Sequence, residues 1–333
     1  MPRRREETPV PREGPEGQIA VRARGLRKHF GAIVALDGVS FDGPRGGVLA
    51  YLGPNGAGKT TTVRILCGLA ERDGGEISIL GRDVRSDPLF VKSHIGVVPE
   101  ASNLYPELGC RRNLEYLGEL YGLPRAERRG RAVELIEHFG LTEKAEQPFG
   151  SLSRGMRRRL AIAAAIVHRP EVLFLDEPTT GLDVPSAKSL RQLIRRTVVQ
   201  GTTVFLTTHN LFEAEELADE VAVLVGGRII AGGTVAEIRA RVPRARGVSL
   251  RLSEPVAEDV LRSACPAIRS AGLEDGCWQL DVTDLHETLG QLVEFCRRTG
   301  LRVNEIGTRQ TTLEEAFLSL LTETTKPTAR GAS

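Results

Sequence analysis

The chain has 333 residues, 41% hydrophobic and 26% charged, with 45 Lys+Arg against 43 Asp+Glu. That length exceeds one typical domain, so two are expected, with enough apolar residues to fill sizeable cores. A net charge of +2 gives no footing for nucleic acid as a partner, and the five scattered cysteines lack the C-x-x-C spacing of a zinc or disulfide framework. No apolar run approaches a membrane span and no secretory h-region is present, so a cytosolic protein is expected, one that reaches a membrane only by docking onto another protein.

Residues 1–17 are rich in Pro, Gly, Arg and Glu and read as a disordered tail. Ile19 to Leu26 alternates apolar and polar residues, as an edge strand does. Phe30 comes next; an aromatic here either belongs to a core or stacks on a purine ring. Val39-Ser40-Phe41 continues the strand pattern.

Gly47 to Leu52 is a short, mostly apolar run that makes a buried strand, and Thr62 to Leu66 opens an amphipathic helix. Between them lies Gly53-Pro54-Asn55-Gly56-Ala57-Gly58-Lys59-Thr60-Thr61, which fits G-x-x-x-x-G-K-[ST] in the strand–loop–helix context that pattern requires. Gly56 and Gly58 let backbone N–H groups wrap an anion, and the helix start adds its positive dipole end. Lys59 offers a point charge to outer phosphates and Thr60 a hydroxyl to Mg²⁺. By itself the loop leaves kinase, GTPase, motor and transporter ATPase open.

Glu76 to Gly81 and Ile95 to Glu100 read as strands, the second ended by Pro99 and a carboxylate. Residues 101–150 turn helical and interrupt the strand–helix alternation as an inserted subdomain. One apolar face there comprises Leu114, Leu117, Leu120 and Tyr121; another comprises Val133, Leu135, Ile136 and Phe139. Ser153 stands where a helix N-cap belongs, leaving free N–H groups for phosphate oxygens, and the helix runs to His168 ahead of Pro170. At least two of Arg157, Arg158 and Arg159 read as a solvated face.

Val172 to Glu177 is an apolar strand ending in two carboxylates. Such a strand aims both at the edge of an open α/β sheet, Asp176 for a Mg²⁺ shell and Glu177 to orient an attacking water. Thr179 to Asp183 turns into a helix. Val204 to His209 is the next core strand with His209 at its tip, and Asn210 to Glu213 has cap spacing. Val221–Val225 and Arg228–Ala231 close the sheet around Gly226-Gly227. The domain boundary falls in Val242 to Gly247. Beyond it, strands at 248–252, 278–282 and 301–306 and helices at 256–264, 284–299 and 312–321 make a small α+β domain of ferredoxin-like kind, with capping boxes at Asp284/Glu287 and Thr312/Glu315 and with Trp278 in its core. The ranges are thus 18–241 for the first domain, 247–322 for the accessory domain and 323–333 for a flexible tail.

Five segments stand in order: Gly53–Thr61, Glu100 after a proline, L-S-R-G-M at Leu152–Met156, L-F-L-D-E-P-T-T-G-L-D at Leu173–Asp183, and T-T-H at Thr207–His209. Together they resemble the ATP-binding cassette (ABC) transporter ATPases, over roughly residues 19–240. The closing T-T-L-E-E-A-F-L-S-L-L looks like the tail of a bacterial subgroup with separate export permeases, to which daunorubicin-resistance and sodium-exporter ATPases belong.

The resemblance implies an α/β P-loop NTPase cassette, a mixed sheet core plus helical subdomain, that hydrolyses ATP with Mg²⁺. It places Phe30 against adenine, Gly53–Thr61 on the phosphates, and Thr60, Asp176 and Glu100 around the metal. Glu177 becomes the catalytic carboxylate and His209 the histidine near the γ-phosphate. Asp183 belongs to the loop that crosses to a second subunit, whose Ser153 and Gly155 complete the site head to tail. A second copy or a paralogous ATPase is then required, as is an integral membrane permease, met through the groove beside residues 101–150. This puts the chain on the cytoplasmic face of the cell membrane. Two departures stand out: the family's usual Gln is Glu100, and L-S-G-G-Q is L-S-R-G-M. A soluble cassette protein acting on ribosomes or DNA is the rival, but such proteins carry two cassettes or long coiled coils, and neither is present.

Overall fold

A computed structural model describes residues 18–199, 201–241, 246–309 and 312–325. The expected tail at 1–17 and most of the expected boundary lie outside the described residues. The chain divides into two compact units, one ending at Val235 and the other starting at Ala236.

The first unit is built on a six-stranded sheet and a four-stranded antiparallel sheet. The six-stranded sheet contains β3 (Val48–Leu52), β6 (Ile95–Val98), β7 (Val172–Asp176), β8 (Thr203–Thr208), β9 (Glu220–Val225) and β10 (Arg228–Thr234), in the order β10-β9-β3-β8-β7-β6. All neighbours are parallel except β10, which pairs antiparallel with β9. Every residue of β3, β7 and β8 is buried, as central strands of a parallel sheet covered on both faces should be.

The second sheet holds β1 (Ile19–Phe30), β2 (Ile33–Pro44), β4 (Gly74–Ile79) and β5 (Arg82–Asp83), in the order β2-β1-β4-β5. Expected at an edge, β1 is instead an inner strand, pairing with β2 on one side and β4 on the other. Its alternation reflects one covered face rather than a free edge. The core between the sheets is aromatic: Phe41 lies 5.3 Å from Tyr51, and Phe205 lies 5.4 Å from Tyr51 and 5.5 Å from Phe174, all centroid spacings of favourable pairs. Each fully buried side chain of this size contributes roughly 1.5–3 kcal/mol.

The inserted helices are α3 (Cys110–Leu120) and α4 (Arg125–His138), following α1 (Lys59–Leu66) and α2 (Pro88–His94). Leu114, Leu135, Ile136 and Phe139 are buried as expected, whereas Leu120, Tyr121 and Val133 are exposed. The buried face of α3 uses Asn113 and Gly118 instead. The Asn113 amide donates to the Tyr105 and Leu108 carbonyls at 3.1 and 3.0 Å and accepts from the Tyr105 amide at 2.9 Å. Gly118 permits close approach, since a Cβ there would lie 2.9 Å from Arg128 Cβ.

Helix α5 (Arg154–Ala165) is capped by Ser153, which accepts from the Met156 amide at 3.3 Å; α6 (Val184–Val199) and α7 (Leu211–Leu217) follow β7 and β8. Asn210 caps α7 by accepting from the Glu213 amide at 3.2 Å.

The second unit contains β11 (Arg246–Leu252), α9 (Glu258–Ala264), β12 (Ile268–Glu274), β13 (Cys277–Val282), α10 (Leu285–Thr299), β14 (Val303–Arg309) and α11 (Leu313–Thr325), preceded by α8 (Val235–Arg241). Its sheet is antiparallel in the order β12-β13-β11-β14, the ferredoxin-like pattern. Trp278 is buried with Leu250, Leu280 and Phe295. Strand β12 was not foreseen, because Ile268 alone of its residues is buried and Arg, Ser, Gly and Glu mask its period. Helix α11 runs to Thr325, into the stretch assigned to the tail; residues 326–333 lie outside the described ones.

Candidate active site

Parallel pairing brings four strand tips to one sheet edge. β3 leads into Gly53, β8 into His209, β7 into Glu177, and β6 into Pro99 and Glu100. Open α/β sheets bind ligands at such an edge.

The glycine loop is held from behind. The Gly53 amide donates to Thr208 O at 3.3 Å, and the Gly227 amide to Ala57 O at 3.1 Å. A Cβ at Gly53 would stand 2.3 Å from Leu224 O. Gly58 has φ 109° and caps α1 with no side-chain bond, leaving the first-turn amides of that helix free for an anion. Lys59 is buried. Its Nζ donates to Gly53 O at 2.8 Å and Pro54 O at 3.2 Å, and pairs with Glu177 Oε1 at 3.1 Å.

Asp176 and Glu177 are both organised by Thr207, on the neighbouring strand. The Thr207 hydroxyl donates to Asp176 Oδ1 at 2.5 Å, and the Glu177 amide donates to Thr207 O and Oγ1, each at 3.1 Å. Glu177 sits at φ 49°, a left-handed conformation uncommon outside glycine and typical of functional sites. Its Oε2 takes the Thr180 hydroxyl at 3.1 Å and lies 2.8 Å from His209 Nδ1. With a carboxylate as acceptor, Nδ1 carries a proton, and the His209 side chain is about half exposed. One carboxylate thus touches an ammonium, an imidazole and a hydroxyl.

Thr60 Oγ1 lies 3.4 Å from Asp176 Oδ1. A hydroxyl and a carboxylate are hard oxygen donors suited to Mg²⁺, which takes one or two protein ligands and fills its shell with phosphate oxygens and water. This donor set fits that shared arrangement. Among the described residues no group of three His, Cys, Asp or Glu side chains forms an independent metal cage.

The remaining expected residues lie apart from this cluster. Phe30 is 53% exposed at the end of β1, with Lys28 Nζ 5.3 Å from its ring centroid. Glu100 is exposed at the tip of β6, and among the described residues no hydrogen bond or ion pair joins its carboxylate to Thr60 or Asp176. Ser153, Gly155 and Asp183 gather elsewhere. Asp183 Oδ1 accepts from the Ser186 amide at 2.8 Å, and a Cβ on Gly155 would meet Ser186 Oγ at 2.9 Å. Arg154 Nη1 donates to Gly181 O at 2.8 Å.

Thr207, Thr180 and Arg158 were not assigned from the sequence. Of the three arginines, Arg157 is exposed and Arg159 half-buried with its Nη2 3.1 Å from Ser189 Oγ, but Arg158 is buried. A polar residue closing an apolar strand run, as Thr207 does, was the available signal.

The chain matches the ABC transporter family model over residues 36–180. It is 39% identical to the daunorubicin resistance ATP-binding protein DrrA3 of Streptomyces coeruleorubidus, covering 90% of this chain and 95% of that protein. The chain belongs to the ABC transporter family. It is likewise 37% identical to the Nod factor export ATP-binding protein I of Ralstonia nicotianae, over 95% of this chain and 98% of that one. The dimeric post-hydrolysis structure of the cassette MJ0796 bound to ADP and Pi matches with TM-score 0.59 and 28% identity, over 64% of this chain and 98% of that one. Our ABC protein is an ATPase, and its α/β cassette carries the family's P-loop at the sheet edge described above.

Proposed function

We propose that this ABC ATPase binds ATP with Mg²⁺ at Gly53–Thr61 and drives export of a small molecule through a separate membrane permease. The observation that carries the reading is the convergence of Lys59, Thr60, Asp176, Glu177 and His209 on one edge. Relatives named for drug resistance and Nod factor export support the export direction. Among the described residues no helix is long and apolar enough to cross a membrane, so the path for the substrate is assigned to the partner, met at the inner face of the cell membrane.

Phosphate oxygens engage the loop amides and Lys59. An arriving phosphate competes with Glu177 for the Lys59 ammonium and releases Oε1 to orient and polarise the attacking water. His209, held by Glu177 through Nδ1, steadies charge on the γ-phosphate in its imidazolium form, in which Nε2 carries an N–H that donates to a phosphate oxygen. Thr60 and Asp176 would hold Mg²⁺, which when bound neutralises phosphate charge. Phe30 stacks on adenine, and Glu100 lies where changes at the metal reach the helical subdomain. Ser153, Gly155 and Asp183 belong to the facing half-site, so two cassettes, identical or paralogous, close head to tail.

Affinity purification from washed membranes checks this reading. A multi-span protein should co-purify and ATP should stimulate release or closure of the pair; recovery on ribosomes with no membrane protein would sink it. Lys59→Ala should lose useful ATP affinity, and wild-type binding by that variant would count against the loop.

A further inference from the structure

Arg158 is a buried cation, and among the described residues its guanidinium is held by backbone carbonyls rather than by an ion pair. Its Nε donates to Pro178 O at 3.0 Å, Nη1 to Pro99 O at 2.5 Å and Glu100 O at 3.4 Å, and Nη2 to Asp176 O at 2.5 Å. All four acceptors are backbone carbonyls at or just beyond the tips of β6 and β7. Two of them, at 176 and 178, flank Glu177. Burial lowers the Arg158 pKa, and the carboxylates of Asp176, Glu213, Glu100 and Glu177 oppose that shift.

Arg158 also lies on the second turn of α5, whose N-cap is Ser153 and whose first turn carries Gly155. A helix moves as a rigid element, so displacement of its first turn carries the guanidinium along. Hydrogen bonds of this length weaken steeply with distance and angle, so a small shift acts on four carbonyls together. One of the groups thereby moved is Glu177, in its uncommon left-handed conformation. In a head-to-tail dimer, Ser153 and Gly155 serve one nucleotide while Glu177 and Glu100 of the same chain serve the other.

We propose that Arg158 is a positioning residue that transmits engagement of Ser153 and Gly155 at one nucleotide site to Glu177 and Glu100 at the other, coupling the two sites. This rests on the shared-site reading above. Arg158 touches no substrate; it acts through the carbonyls on either side of the catalytic carboxylate.

The test uses the full-length chain with Arg158→Lys, which keeps the charge and loses the fork, and Arg158→Gln, which keeps a shorter donor and loses the charge. Binding of a fluorescent ATP analogue to the monomer should stay within about twofold of wild type, while kcat falls about tenfold or more, because Glu177 is misplaced rather than removed. The Hill coefficient for ATP should fall from near 2 toward about 1. Wild-type kcat and cooperativity in both variants would overturn the proposal, as would loss of affinity equal to the loss of kcat, which marks a merely structural role. If neither variant folds, mixed dimers of wild-type and isotope-labelled Lys59→Ala chains decide. ATP held by the wild-type loop should then protect amides around Glu100 and Glu177 of the labelled chain, and no gain in protection there would overturn the coupling. Failure of the underlying reading looks different: a wild-type chain with no ATP-driven dimer and no cooperativity removes the shared site, and the proposal with it.

Discussion

Lys59 Nζ lies 3.1 Å from Glu177 Oε1, joining the first turn of α1 to the tip of β7. Both side chains are about nine-tenths buried, so the desolvation of each charge offsets much of their attraction. Removing one partner leaves the other uncompensated, which makes the pair a sensitive reporter of the site.

Glu177→Gln keeps the shape and removes the charge. Nucleotide binding should persist, turnover should fall by about 10²-fold or more, and an ATP-dependent dimer should accumulate on gel filtration. Unchanged hydrolysis would take Glu177 out of the catalytic role.

Thr207→Val removes the hydroxyl that serves both Asp176 and the Glu177 amide, at nearly constant volume. It should destabilise the first unit by roughly 1–3 kcal/mol and lower kcat about 10- to 100-fold through misplacement. Thr207→Ser should restore most of both. A Val variant with normal kcat would show that the clamp is dispensable.

His168 stacks on Tyr121 at 3.6 Å between centroids, and its Nε2 lies 3.0 Å from Ile95 O. Burial lowers its pKa to about 4 from 6.5. In the unfolded chain the imidazole protonates through its ordinary pKa while the folded one stays neutral. The unfolded state then binds more protons between those values, and stability drops as pH falls from about 6.5 to about 4. Chemical denaturation of the first unit at pH 7 and pH 5 should differ by roughly 1–2 kcal/mol more in the wild type than in His168→Phe. Equal differences would assign the acid loss to other groups.

A chain ended at Val242 contains every residue of the candidate site and the whole of the larger unit. It should bind ATP within about threefold of the full chain, while assembly with the permease weakens. Loss of ATP binding in a folded truncation would show that the second unit is needed for the site.

The chemistry of this protein is written locally. Gly53–Thr61, Asp176-Glu177 and His209 each close an apolar strand run, and a loop with its flanking strand and helix specifies an anion cradle through backbone geometry alone. The caps at Ser153, Asn210, Asp284 and Thr312 were legible for the same reason, since each bond spans three residues. Helix faces are less legible: Asn113 and Gly118 are buried on α3 because one satisfies four backbone groups and the other admits α4, and neither fact is visible in an apolar period. Only the tertiary structure decided that β1 is an inner strand, that Thr207 serves two carboxylate residues at the tip of the next strand, and which of the three arginines of α5 is not solvated: Arg158, which grips four carbonyls. These depend on the strand order β3-β8-β7-β6, which sets residues far apart in sequence side by side, and periodicity along a chain carries no term for which strand lies next to which.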